Sequence, residues 1–144
     1  MTPTRILPDL QCSLVCEDVR QESSGNFILV GVINFLRVPQ LPAGVLKLLV
    51  FNRWTAGYGQ FVETVRLIAP DQTTVLCKTE MRFALQDVSR NATTVSVWSP
   101  VKFETAGAYY VEVLVDDVMK LRFPLAIILV TQEQRPQGGP PKEP

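Results

Sequence analysis

The sequence predicts an all-β protein, built as an antiparallel sandwich of seven to nine strands, and three observations support this. Apolar residues recur at every second position in segments such as QCSLVCE (11–17) and TVLCKTEMRFAL (74–85), which is the period of a half-buried strand. Clusters of turn residues follow one another about every ten residues, which is typical of sandwiches and barrels. No window of a dozen residues carries the apolar stripe of a helix.

The predicted strands follow one another along the chain. The first is QCSLVCE, in which Cys12, Leu14 and Cys16 share the apolar face. NFILVGVINFL (26–36) and VLKLLVF (45–51) are apolar at most positions, which indicates central strands covered on both faces. The others are FVETVRLI (61–68), TVLCKTEMRFAL (74–85), TVSVW (94–98) and two strands that follow Gly107.

The last two strands are predicted to form a β-hairpin. Only certain registers bury the apolar faces of both strands together, and one of them sets Glu112 opposite Arg122 on the outer face. That register pairs Val115 with Met119 and leaves Asp116-Asp117-Val118 as a three-residue loop. Val118 fits the left-handed third position of such a loop poorly, so a separation of the strands one residue earlier is the alternative.

The segment ETAGAYY (104–110) refines the fold class. In immunoglobulin-like sandwiches, a tyrosine near the start of one strand bonds back to upstream backbone at the preceding corner. Tyr109, behind Gly107, fits this structural role. Val111 stands where an antibody domain has its second cysteine, so the inter-sheet disulfide is absent. The predicted fold is therefore a single immunoglobulin-like antiparallel β-sandwich of seven to nine strands.

Length and composition predict one domain. We expect a lead-in over residues 1–10, the β-sandwich over 11–131 and a disordered tail rich in proline and glycine over 132–144. Fourteen basic and fourteen acidic residues cancel, which argues against nucleic-acid and membrane partners. The N-terminal residues lack a signal-peptide pattern and no apolar run is long enough to span a bilayer, so we expect a cytoplasmic location.

The chain contains no histidine. This excludes Ser-His-Asp and Cys-His catalysis and the usual catalytic zinc sites. No phosphate loop or dinucleotide fingerprint is present, so we expect neither enzyme activity nor a cofactor. Cys12, Cys16 and Cys77 fall on apolar strand faces, where we expect them to pack as small hydrophobic side chains and not to bind a metal.

Two sets of residues are candidates for binding. Aromatic side chains on and beside a glycine-rich loop supply contact area at low entropic cost, and this set comprises Trp54, Tyr58, Phe61 and Trp98. Loop carboxylates at one end of a sandwich could hold calcium, and this set comprises Asp71, Asp116 and Asp117. The alternatives are core packing for the aromatic residues and solvated loops for the carboxylates.

The segment CEDVRQESSGNFILVGVINFLRVPQLPAG (16–44) resembles a family of small uncharacterised bacterial proteins. VRLIAPDQTTVL (65–76) and GAYYVEVLVDD (107–117) fit the same pattern, so that the resemblance covers about residues 10 to 130. It implies an immunoglobulin-like fold, and it brings no catalytic residues to transfer because the family has no established activity.

These observations together predict a non-catalytic interaction or assembly module inside a bacterial cell. The expected partner is a protein, which includes a second copy of the chain, since zero net charge and exposed edge strands favour pairing. The alternative is a small-ligand binder, for carbohydrate or calcium, that uses the loops at one end of the sandwich.

Overall fold

The computed structural model describes residues 5–130, which fold into eleven β-strands and no helix. The all-β prediction is confirmed. No helix in this part of the chain could cross a membrane. The strands are β1 (Asp9–Gln21), β2 (Phe27–Val32), β3 (Phe35–Val38), β4 (Ala43–Val45), β5 (Leu48–Thr55), β6 (Gly59–Ile68), β7 (Val75–Leu85), β8 (Asn91–Trp98), β9 (Val101–Phe103), β10 (Gly107–Val115) and β11 (Val118–Leu129).

Two main sheets contain nine of these strands. One has the order β2-β1-β5-β8, the other has the order β3-β11-β10-β6-β7, and β4 pairs with β9 in a small separate sheet. The described residues form more strands than the predicted seven to nine. The additional strands are short: β3, β4 and β9 have only three or four residues each, which is too few to show a period of two in the sequence. The arrangement is also not wholly antiparallel, because β3 runs parallel to β11.

A single apolar core lies between the two main sheets. Alternate residues of β10 are fully buried in it, from Tyr109 to Val115, as the period of two predicted. β5 contributes from the other sheet through Leu48, Val50 and Trp54. β5 is therefore a central strand, as predicted, with β1 and β8 on its two sides.

The β10–β11 hairpin has the predicted register except at its tip. Glu112 lies opposite Arg122, and both Arg66 and Arg122 form ion pairs with the Glu112 carboxylate. The loop is one residue shorter than predicted, because Val118 pairs with Val115 and the register shifts further along β10. Asp116 and Asp117 form the two-residue turn with φ of 48° and 67°. Aspartate tolerates this left-handed conformation, which suits a hairpin turn, better than a β-branched valine does.

The tyrosine corner is present at the start of β10. The Tyr109 hydroxyl donates a hydrogen bond of 2.7 Å to the Thr105 carbonyl oxygen, four residues upstream, and the ring is buried. Gly107 has a φ of 138°, and a Cβ at this position would lie 3.2 Å from Pro70. Tyr109 and Gly107 therefore fix the backbone at the start of β10.

The β1–β2 hairpin bends back over the outer face of its own sheet. Phe27 of β2 pairs with Gln21 of β1, and Phe51 of β5 pairs with Leu14 of β1. On a straight strand, Gln21 and Leu14 would be about 24 Å apart. The Phe27 and Phe51 rings nevertheless pack edge to face with centroids 5.7 Å apart. Phe51 follows core residue Val50 and so points away from the core, yet it is buried because the hairpin covers it.

The limits predicted for the domain can be compared with the structure in part. β1 begins at Asp9, and Ile6, within the predicted lead-in, exchanges two backbone hydrogen bonds with Tyr58. Residues 1–4 and 131–144, which include the predicted tail, lie outside the described residues.

Candidate functional site

β2 is an exposed edge strand composed entirely of apolar residues. It pairs with β1 on one side, and no described strand pairs with its other side. Its sequence, FILVGV, contains no charge and no proline, and every residue is exposed or half-exposed. Phe27, Ile28 and Val32 are 36%, 43% and 49% exposed. The prediction of a central strand here is wrong, because apolar composition does not show whether a second strand lies alongside.

Two other open strand edges, on β11 and β7, carry the residues that usually prevent edge pairing. Charged side chains and proline on an edge strand oppose the addition of another strand. The part of β11 that extends beyond β3, and the outer strand β7, carry them at alternate positions: Lys120, Arg122 and Pro124 on β11, and Lys78, Glu80 and Arg82 on β7. Among the described edge strands longer than four residues, β2 and β8 lack both charge and proline, and β2 differs because it is apolar at every position, whereas half of the β8 residues are polar: Asn91, Thr93, Thr94 and Ser96.

A groove of about 500 Å³ lies between the β1–β2 hairpin and the sheet beneath it. Phe27, Leu29 and Phe51 form apolar walls, and the polar lining residues are Asn26, Arg53 and Thr93, with Gly25 at the hairpin tip. Arg53 and Thr93 are neighbours on β5 and β8. Within residues 5–130, no carboxylate lies within 4.0 Å of the Arg53 guanidinium, although eight other ion pairs meet that distance.

The predicted aromatic recognition surface is not formed by the residues proposed for it. Trp54, Phe61 and Trp98 are 0%, 2% and 3% exposed, so they belong to the core. β5 continues to Thr55 and β6 begins at Gly59, which leaves a connection of only three residues. Trp54 and Phe61 therefore lie within strands and not in the loop. Tyr58 is half-exposed, and its backbone bridges to Ile6.

The predicted calcium ligands do not converge. β6 and β10 are antiparallel neighbours, with Ile68 beside Tyr110 and Glu63 beside Val115. The loop that holds Asp71 follows Ile68, whereas Asp116 and Asp117 follow Val115, so the two loops lie at opposite ends of these strands. Among the described residues, no group of three or more histidine, cysteine or acidic side chains could hold a metal ion.

Two of the three candidate carboxylates, Asp71 and Asp116, have local partners. Asp71 accepts hydrogen bonds from the Thr74 hydroxyl and from the backbone amides of Thr74 and Thr73, and these bonds lower its pKa to about 2. Asp116 accepts a hydrogen bond of 2.9 Å from the Val62 amide and is paired with Arg5, and the amide is the main cause of its lowered pKa. Both carboxylates therefore stabilise turns.

A buried carboxylate between the sheets was not predicted. Glu63 is 1% exposed, and its Oε2 accepts hydrogen bonds from Trp54 Nε1 at 2.7 Å, Thr94 Oγ1 at 2.6 Å and Asn52 Nδ2 at 3.0 Å. Glu63 Oε1 and Asn52 Oδ1 are buried without a hydrogen-bond partner. The sequence carries a signal for this site, because Glu63 falls on the core-facing period of β6 between Phe61 and Val65.

The fold and the surface features together define a class: a small all-β protein with two main sheets around one core and an unprotected apolar edge strand. A family model matches residues 11–128, and its description is a family of unknown function, DUF6941. The chain belongs to this family. No curated protein matches the sequence.

Proposed function

We propose that the protein is a non-catalytic interaction module, and that it binds by pairing the free edge of β2 with an extended strand of a second copy of itself. The observation that carries the proposal is the composition of β2, which is apolar at every position although the strand is an edge. Such an edge offers unpaired backbone donors and acceptors beside exposed apolar side chains, and it is a template for another strand.

A second copy is the partner that fits this edge with least conflict. Two β2 strands related by a twofold axis would run antiparallel, and each would present the same surface to the other. The four residues 27–30, which precede Gly31 with its φ of 65°, supply about four backbone hydrogen bonds between the chains. No like charges would face each other along the paired strands, because β2 carries none. Pairing would also cover Ile28 and Val32, which are among the exposed apolar residues.

The same proposal includes the finer features expected from the sequence. An immunoglobulin-like β-sandwich is supported by two main sheets around one core and by the Tyr109 corner. A bacterial cytoplasm is supported by the family resemblance and by three cysteines that are all free thiols, since disulfides are rare in reducing compartments. Neutral net charge supports a protein partner over nucleic acid or a membrane.

The test is the mass of the protein in solution as a function of concentration. We expect sedimentation equilibrium to show a monomer that converts to a dimer, and we expect Ile28→Lys to remain monomeric because a lysine opposes edge pairing. Val88→Lys is the matched control, since Val88 is similarly exposed, at 53% against 43% for Ile28, but lies in the connection between β7 and β8 and not on a strand edge. Thermal unfolding of each variant establishes that it is folded.

Two results would contradict the proposal. A wild-type protein that stays monomeric over the whole concentration range would rule out self-pairing. An Ile28→Lys variant that is folded and dimerises like the wild type would show that the interface lies elsewhere.

A further inference from the structure

The groove beneath the β1–β2 hairpin has the chemistry of a ligand site. Its volume of about 500 Å³ is within the usual range for small-molecule sites, roughly 300–1,000 Å³. Such sites combine apolar walls with a few polar groups that orient the ligand. Here the walls are Phe27, Leu29 and Phe51, and the polar groups come from Asn26, Arg53 and Thr93.

The space between hairpin and sheet has an identifiable structural origin. The edge-to-face contact of Phe27 with Phe51 holds the hairpin against the sheet at one point. The adjoining tip turns at Gly25, whose φ is 97°, and a Cβ at this position would meet no atom within 4 Å. The Gly25 amide donates to the Glu22 carbonyl oxygen, and the Glu22 amide donates to the Asn26 carbonyl oxygen, so the tip is closed on itself and leaves the groove open.

Arg53 determines the charge that the groove accepts. It is the charged residue among those that line the groove, and within residues 5–130 no carboxylate neutralises it. A guanidinium presents two parallel N–H donors that match the two oxygens of one carboxylate. A site for a dianion such as a phosphate ester would be expected to contain more than one cationic side chain. One guanidinium and three apolar side chains instead match a ligand with one carboxylate and a hydrocarbon body.

We infer that this groove binds a small monocarboxylic acid with an apolar body, with the carboxylate on Arg53 and the hydrocarbon between Phe27, Leu29 and Phe51. This site goes beyond the proposed pairing of β2 and does not depend on it, because it uses the face of the hairpin that covers the sheet and not its free edge.

The experiment compares two probes of the same shape, 3-phenylpropionate and its neutral amide, 3-phenylpropanamide. We expect the acid to shift the amide NMR signals of Gly25, Asn26 and Thr93, and to bind about tenfold more tightly than the amide, as is typical for the loss of one charge-assisted hydrogen bond. Arg53→Gln should reduce the affinity for the acid to that of the amide. Arg82→Gln is the control, because Arg82 lies outside this groove.

The outcomes separate clearly. Equal affinity for acid and amide, or an unchanged affinity of Arg53→Gln for the acid, would overturn the role of Arg53 and with it the inference. Absence of binding, or NMR shifts confined to residues outside the groove, would overturn the site itself. Because Arg53 is exposed on β5, the Arg53→Gln variant should fold. NMR signals that match those of the wild type for residues away from the groove would verify this.

Discussion

Replacement of Glu63 by leucine should destabilise the protein strongly, although leucine is the more apolar side chain. Three buried donors, on Asn52, Trp54 and Thr94, point at Glu63 Oε2. Each buried donor left without an acceptor costs about 1–3 kcal/mol, so three of them cost roughly 3–5 kcal/mol once partial relaxation is allowed for. This is a large part of the stability of a typical small domain, about 5–15 kcal/mol.

Glu63→Gln is the matched variant for this prediction. Its amide oxygen can accept hydrogen bonds from the same donors, and its amide nitrogen replaces Glu63 Oε1, which has no hydrogen-bond partner among the described residues. We therefore expect Glu63→Gln to lie within about 1 kcal/mol of the wild type. Urea unfolding, followed by tryptophan fluorescence, measures both. A Glu63→Leu variant within about 1 kcal/mol of the wild type would refute the reasoning, because the three donors would then cost nothing when unpaired.

Three further predictions concern the turns and the corner. Tyr109→Phe should lower the free energy of unfolding by about 0.5–1.5 kcal/mol, the contribution of one hydrogen bond to Thr105, and a change near zero in urea unfolding would contradict the corner's role. Gly107→Ala should cost about 1–3 kcal/mol because of its positive φ, whereas Gly44→Ala, which meets no atom within 4 Å, should be nearly neutral, and equal melting temperatures would contradict this. The pKa of Asp71 is lowered to about 2, so its stabilising contribution is present above its ordinary pKa and is lost as the pH falls toward 2. Asp71→Asn should therefore lose less stability than the wild type between pH 5 and pH 2 (roughly the window in which a carboxylate of lowered pKa titrates). Melting temperatures of the variant and the wild type that fall by the same amount over this range would contradict this.

Local sequence signals predicted the last hairpin well. The period of two identified the buried face of β10, and charge matching placed Glu112 opposite Arg122. Glycine followed by tyrosine identified the corner at Tyr109. These features depend on residues close together in the chain, and the rules that govern them act between neighbouring positions. The error of one residue at the hairpin tip arose where a bulge competes with the turn.

Long-range arrangement accounts for the predictions that are wrong. Which loops share an end of the molecule depends on strand order, and the antiparallel pairing of β6 with β10 separates Asp71 from Asp116. Trp54 and Phe61 were predicted to lie on and beside a glycine-rich loop, but both lie within strands, because β5 continues to Thr55 and β6 begins at Gly59. The bend of β1 that forms the groove leaves no local signal, because it depends on contact between Phe27 and Phe51.

The apolar composition of β2 indicates that the strand needs burial, but it does not identify what supplies it. A central strand obtains burial from neighbours on both sides and layers on both faces. β2 obtains part of it by folding back, so that Phe27 packs on Phe51. Ile28 and Val32 remain 43% and 49% exposed, and the backbone edge of β2 that does not pair with β1 is free. If the fold of a single chain supplied all the burial that β2 needs, a charged residue or proline at these positions would cost little stability and would prevent unwanted pairing. Their absence is the reason to look for a partner at this edge.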